Sequence, residues 1–227
     1  LKANLLLLLT RIHNGKYQAK PARITEIQKK MEGKRPLVIS CFEDKIIEST
    51  VSKILNSVFE PIFLKYSYGF RTKLNAHDAL RELNRLTYSF NKGAIVEIDI
   101  TKCFNTIKHC ELMEFLRKRM SDKKFLRLVM KLIETPIIEN STIVTNKECC
   151  RQGSIVSPIL ANIFLHYVID SWFAKISKEN LIGQTGMVRY CDDMVFVFEK
   201  EADAKRFYDV LPKRLNKYGL NINESKS

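Results

Sequence analysis

Asp192 and Asp193 stand between two apolar runs, Met187-Val188-Arg189-Tyr190 and Met194-Val195-Phe196-Val197-Phe198. Two adjacent carboxylates at the tip of a hairpin raise each other's pKa and cost stability, whereas bound divalent cations turn that repulsion into attraction. A solvated acidic turn is the commoner fate of a bare Asp-Asp pair, so the pair needs a partner before it implies chemistry. Asp99 supplies one, closing a second apolar run, Ala94-Ile95-Val96-Glu97-Ile98, far upstream. Two such strands laid side by side bring Asp99 and Asp192 together. Hard oxygen ligands with positions left for water and phosphate suit Mg²⁺ better than Zn²⁺ or Cu²⁺. Two Mg²⁺ ions in such a site activate an attacking hydroxyl and stabilise a leaving oxygen during in-line displacement at phosphorus. The implied chemistry is nucleotidyl transfer.

The elements that must position these carboxylates are legible from periodicity and end signals. Apolar runs predict strands at 94–99, 187–190 and 194–198, the last two joined by Cys191-Asp192-Asp193. Ser157-Pro158 opens a long helical pattern to about Ile176, with Ser as cap and Pro in the first turn. Further helices are expected at 1–13, 43–59, 75–88, 110–119, 123–133 with an Asp122 cap, and 201–217. Gly219 then leads to a short last strand. Arg23-Ile24-Thr25-Glu26-Ile27 and Pro36-Leu37-Val38-Ile39-Ser40 predict two strands about a turn at Gly33. The apolar run 5–9 is far short of the ~20 residues that span a bilayer and is read as a buried helix edge.

The charge balance points to a polyanionic partner. Lys and Arg number 38 against 25 Asp and Glu, a net charge of +13 over 227 residues, and nucleic acid is the partner this favours. Seven of those cations fall between positions 15 and 35, as either a solvated loop or a phosphate-contacting hairpin. Tyr66-Ser67-Tyr68-Gly69-Phe70-Arg71 suits base stacking plus phosphate contact, or a packed loop. The six cysteines form no C-x-x-C pair and the four histidines no ligand spacing, so reduced thiols and no zinc are expected. No signal or transit segment is visible, although the chain starts at Leu1 without an initiator Met.

Six ordered blocks resemble group II intron reverse transcriptases, also called maturases. They are Arg35-Pro36-Leu37; Tyr68-Gly69-Phe70-Arg71 with Ala76-His77-Asp78-Ala79-Leu80; Asp99-Ile100-x-x-Cys103-Phe104; Gln152-Gly153-x-x-x-Ser157-Pro158-x-Leu160-x-Asn162; Arg189-Tyr190-Cys191-Asp192-Asp193; and Gly219-Leu220-x-x-Asn223-x-x-Lys226. The resemblance implies an α/β (α+β) right-hand polymerase with an antiparallel palm sheet backed by helices. Residues 1–92 would be mainly fingers and 93–227 mainly palm with returning fingers segments. It implies Asp99, Asp192 and Asp193 as catalytic ligands of two Mg²⁺ ions, assisted by the Ile100 carbonyl, with Asp193 less direct. Lys29, Arg35, Gln152 and Lys226 would bind the incoming dNTP, Arg35 adding bidentate geometry. Phe104 would be the ring that leaves no room for a 2′-hydroxyl. Arg23, Lys34, Arg71, Gly153 and Tyr190 would contact nucleic acid, Gly153 by close backbone approach.

The implied activity is RNA-directed DNA polymerisation coupled to intron splicing and retrohoming. Its partners would be group II intron RNA, an RNA template with DNA primer, and dNTPs, without a membrane; a homodimer is an open arrangement. A bacterial cytoplasm is the expected location, an organelle the alternative. The family usually carries Pro-Gln-Gly-Gly where this chain has Arg151-Gln152-Gly153-Ser154, and Ala where it has Cys191. The first change is expected to alter backbone flexibility or primer contact, the second to make activity sensitive to oxidation. The sequence stops at Ser227, after the last palm block, so a fragment without thumb or maturase domain, and weak distributive synthesis, are expected. The alternatives are a splicing cofactor that folds its intron with chemistry secondary, and a retron or defence-type reverse transcriptase.

Overall fold

A computed structural model describes residues 2–28, 34–90, 93–139, 142–145 and 150–223, with Arg35 described for its backbone only. In chain order the elements are α1 (Lys2–His13), β1 (Ala22–Gln28), β2 (Lys34–Ile39), α2 (Phe42–Phe59), α3 (Ala76–Ser89), β3 (Ala94–Ile98), α4 (Cys103–Thr106), α5 (His109–Arg117), α6 (Lys123–Ile133), β4 (Ile137–Glu139), β5 (Thr142–Val144), α7 (Ser157–Leu165), α8 (Ser171–Glu179), β6 (Thr185–Tyr190), β7 (Asp193–Phe198) and α9 (Glu201–Lys217). A π-helical turn, His166–Asp170, joins α7 to α8. The expected mixed class is observed. The chain forms two units, Leu1–Val58 with Lys108–Leu160, and Phe59–Ile107 with Ala161–Ser227; each is made of two stretches of the chain.

The first unit is built on the sheet β2-β1-β4-β5. β1 and β2 pair antiparallel from Arg23↔Ile39 to Gln28↔Lys34, longer than the apolar pattern alone predicts. β4 and β5, three residues each, are too short to leave a periodic signal. Helix α6 starts as expected, the Asp122 side chain accepting from the Lys124 and Phe125 amides. Glu48 is buried, yet Ser40 Oγ donates to its Oε1 at 2.6 Å, and Ser154 Oγ and the Ile155 amide to its Oε2 at 3.0 and 2.8 Å. The run 5–9 departs from expectation: only Leu8 is buried, while Leu5, Leu6, Leu7 and Leu9 are exposed. Five successive leucines circle the helix, so one unit surface cannot cover them all.

The second unit is built on the sheet β3-β7-β6, antiparallel throughout. One face carries Val188 and Val197 against Ala79 and Leu86 of α3, a helix started by an Asn75–Asp78 capping box. The other carries Phe196 and Phe198, which meet Phe173 of α8 and Phe207 of α9 with ring centroids 4.5–6.3 Å apart. The helical segment Ser157–Glu179 is long and apolar enough to cross a membrane by composition, but 67% of that window is buried inside the fold. Its apolarity is therefore explained by the core.

Candidate active site

The register of the second sheet gathers the candidate carboxylates at one end. Ile98 pairs with Met194 and Tyr190 with Asp193, so Asp99 emerges where the β6–β7 hairpin turns through Cys191 and Asp192. The Cys103 thiol, buried in α4, reports this convergence: burial raises its pKa, and the charges of Asp192 and Asp99 raise it further against the opposing Arg189. Asp99 is held by Asn223, whose amide donates to the Asp99 carbonyl at 2.9 Å and whose Nδ2 donates to Oδ2 at 2.8 Å. Ile100, fully buried, bridges Ile222. Asp193 is exposed and falls on the sheet face of Val195 and Val188, opposite to that of Ile98 and Met194.

Among the described residues, no three His, Cys, Asp or Glu side chains form a cage for a metal. Asp99 and Asp192 fit Mg²⁺ nonetheless, because that ion keeps several waters and commonly takes one or two carboxylates plus substrate phosphates.

The hairpin tip is backed by a buried polar network. Arg189, 0% exposed, donates from Nε and Nη2 to both oxygens of buried Asp170 at 2.8 and 2.6 Å. Its Nη1 donates to Asn162 Oδ1 and to the Cys191 carbonyl, each at 3.0 Å. Asn162 in turn donates to the Gly69 carbonyl at 2.8 Å. Cys191 adopts φ 61°, a position in a two-residue hairpin where Gly is usual. Asp170 escapes sequence reasoning, and Asn162 and Gly69 enter it only as members of the resembling blocks, with no role attached. The available signal was charge: Arg189 and Asp170 interrupt apolar segments that fold into the core.

A Cβ at Gly69 would lie 2.5 Å from the Cys191 amide nitrogen and 2.5 Å from its Sγ. Gly69→Ala is expected to cost about 1–3 kcal/mol, the range for overpacking, as a lowered urea midpoint. Adding Cys191→Gly should restore only part, since the backbone clash persists; full restoration would mean the thiol alone is at fault.

Other expected site residues lie as follows. Phe104 is half-buried in α4, and Tyr190 is 39% exposed at the end of β6. Arg23 is exposed on β1, and Lys34 pairs with Glu26 at 2.7 Å, both side chains exposed. Lys29 and Lys226 lie outside the described residues. Arg71 has partners in its own loop: its guanidinium, 10% exposed, donates to Glu60 and to the Leu64 and Ser67 carbonyls and sits over Phe63. Those bonds make it a clasp of its own loop.

The 151–154 segment has close partners in its own unit. Gly153 takes φ +105°, and a Cβ there would lie 2.5 Å from the Val38 carbonyl oxygen. The close approach is therefore to β2, whose Val38 amide donates to the Gln152 carbonyl at 2.8 Å. Arg151, buried, donates to the Leu132 and Ile133 carbonyls at the end of α6. With Ser154 on Glu48, both departures from the family pattern have partners inside this unit.

Oxidation sensitivity at Cys191 is also disfavoured. Burial and the charges of Asp192 and Asp193 push its thiol up to about 12 against the opposing Arg189, and the thiolate is the reactive form. Iodoacetamide at pH 8 is expected to alkylate exposed Cys110 well before Cys191, read by peptide mass spectrometry; equal rates would contradict the burial of this turn.

The antiparallel sheet with two carboxylates at its turning end defines the class. The chain belongs to the reverse transcriptase (RNA-dependent DNA polymerase) family, matching it over residues 27–227. Telomerase from Candida albicans, solved with a TWJ fragment of telomeric RNA, shares the fold at TM-score 0.72, with 15% identity over 92% of this chain and 41% of that one. The resemblance to group II intron reverse transcriptases is borne out by relatives. The group II intron-encoded protein LtrA of Lactococcus lactis is 36% identical over 161 residues, 70% of this chain and 26% of LtrA. The COX1/OXI3 intron 1 protein of Saccharomyces cerevisiae is 29% identical over 97% of this chain and 32% of its own length. The chain thus spans 26–32% of the length of these relatives.

Proposed function

We propose that this chain is the polymerising part of a group II intron-encoded reverse transcriptase, extending a DNA primer on an RNA template with dNTPs. One observation carries the reading: the register that pairs Ile98 with Met194 and Tyr190 with Asp193 brings Asp99, just past β3, to the turn that holds Asp192. Asp99, Asp192 and the Ile100 carbonyl would hold two Mg²⁺ ions, which when bound activate the primer hydroxyl and stabilise the leaving oxygen. Asn223 holds the Asp99 carboxylate in place, and Asp193, on the other strand side of the turn, acts less directly. Phe104 is proposed to exclude the 2′-hydroxyl, and Tyr190 to lie under the primer end. Lys29, Arg35, Gln152 and Lys226 are proposed dNTP contacts; Arg23, Lys34 and Gly153 are proposed near the nucleic acid, Gly153 through the backbone around it.

Splicing assistance and retrohoming belong to the same proposal, supported by relatives named as intron-encoded proteins and by the +13 charge. The source compartment proposed is a bacterial cytoplasm, with an organelle as the alternative. The test is primer extension by this chain on an RNA template with Mg²⁺ and dNTPs. Extended DNA product is the expected result. Tight RNA binding with no extension under any metal would overturn the polymerase reading in favour of a splicing cofactor.

A further inference from the structure

The network behind the hairpin does more than fill the core. A buried Arg–carboxylate pair is weak evidence for stability, because apolar residues of similar volume commonly replace it without loss. What apolar residues cannot do is donate to a carbonyl. Arg189 Nη1 donates to the carbonyl of Cys191, the turn residue with φ 61°, a backbone conformation that persists only where its surroundings enforce it. The same guanidinium is fixed by Asp170 through two parallel bonds and by Asn162. Its own backbone is also held, the amide donating to the Tyr66 carbonyl at 2.7 Å and the carbonyl accepting from the Tyr68 amide at 2.9 Å.

Asp170 is itself placed by an unusual turn. It ends the π-helical segment His166–Asp170, a device found mostly as a single turn and often at functional sites. Arg214 of α9 donates to the Tyr167 and Val168 carbonyls within that segment, at 3.2 and 2.9 Å, and stacks over Tyr218. Asn162 continues the chain of contacts to the Gly69 carbonyl, and Gly69 abuts the Cys191 backbone, with no room for a Cβ between them. Arg189 and Gly69 therefore grip one residue, and that residue precedes Asp192.

We propose that Arg189 is a positioning residue: held by Asp170 and Asn162, it locks the Cys191–Asp192 turn and so fixes the Asp192 carboxylate relative to Asp99. This rests on the polymerase reading only for its catalytic consequence. The locked turn is a property of the fold and is measurable without activity.

The test is a double variant, Arg189→Met with Asp170→Leu, which keeps the core apolar and removes the donor to Cys191. Amide exchange is compared at the turn and in the β6–β7 ladder. Exchange at 191–193 is expected to rise about tenfold or more while the ladder stays protected, since local opening is separable from global unfolding. In primer extension, kcat should fall about 10- to 100-fold with KM for dNTP little changed, as expected for a misplaced catalytic group. A folded variant with wild-type exchange at the turn would overturn the proposal, as would unchanged kcat where the wild type is active. If the double variant does not fold, Asn162→Ser loosens the same guanidinium more gently and is read in the same way. A wild-type chain without extension would defeat the polymerase reading alone, and the exchange comparison would still decide the lock.

Discussion

Asp192→Ala is expected to lower primer extension by about 10³-fold or more while leaving the chain folded. The estimate follows from loss of one preorganised electrostatic group, which alone costs about 10²–10³, compounded by loss of a ligand shared between two metal ions. The fold should not suffer, because the substitution removes one of two adjacent negative charges from a turn already held from behind by Arg189. Thermal unfolding of the metal-free variant is expected at or above the wild-type temperature. Asp193→Ala is expected to do less, since Asp193 is exposed on the opposite strand side of the turn. An Asp193 effect equal to that of Asp192 would mean that the sheet register does not sort the two carboxylates.

The largest expected stability effect is at Phe173. Its ring is fully buried and meets Tyr66, Phe196, Phe198 and Phe207. Phe173→Ala removes a ring that joins α8 to the sheet and to α9, and should cost about 3–5 kcal/mol in urea denaturation followed by circular dichroism. Phe173→Leu, which refills much of the volume, should recover more than half of that loss. Equal losses for both would point to the edge-to-face ring contacts rather than to the cavity. Nothing in this pair touches the candidate carboxylates, so residual activity of the folded fraction should be normal.

How much of this was legible in the sequence depends on whether a residue's role is local. Strands β3, β6 and β7 could be read because each is an apolar run ended by a carboxylate or a turn, and α6 because its Asp122 cap stands directly before its first residue. The two carboxylates that converge could be read for the same reason. Long-range partners could not. Arg71, beside three aromatic residues, gives no sign in the sequence that Glu60, Leu64 and Ser67 accept its hydrogen bonds. Arg151 and Ser154 look like departures from a flexible family segment until α6 and Glu48 supply their partners. The π-helical turn leaves no periodic signal, because five residues of altered winding sit inside a continuous apolar helix. Leu5, Leu6, Leu7 and Leu9 misled in the opposite direction, since apolarity says what can be buried and not what is.

The most direct test of the central claim is divalent-ion binding by the chain itself, measured with Mn²⁺ by electron paramagnetic resonance. Asp99→Asn and Asp192→Asn, two changes on separate strands, are each expected to weaken binding about tenfold or more, with the double variant little worse than either single one, because both carboxylates serve one site. Wild-type Mn²⁺ affinity in both single variants would contradict the shared site at the end of the β3-β7-β6 sheet.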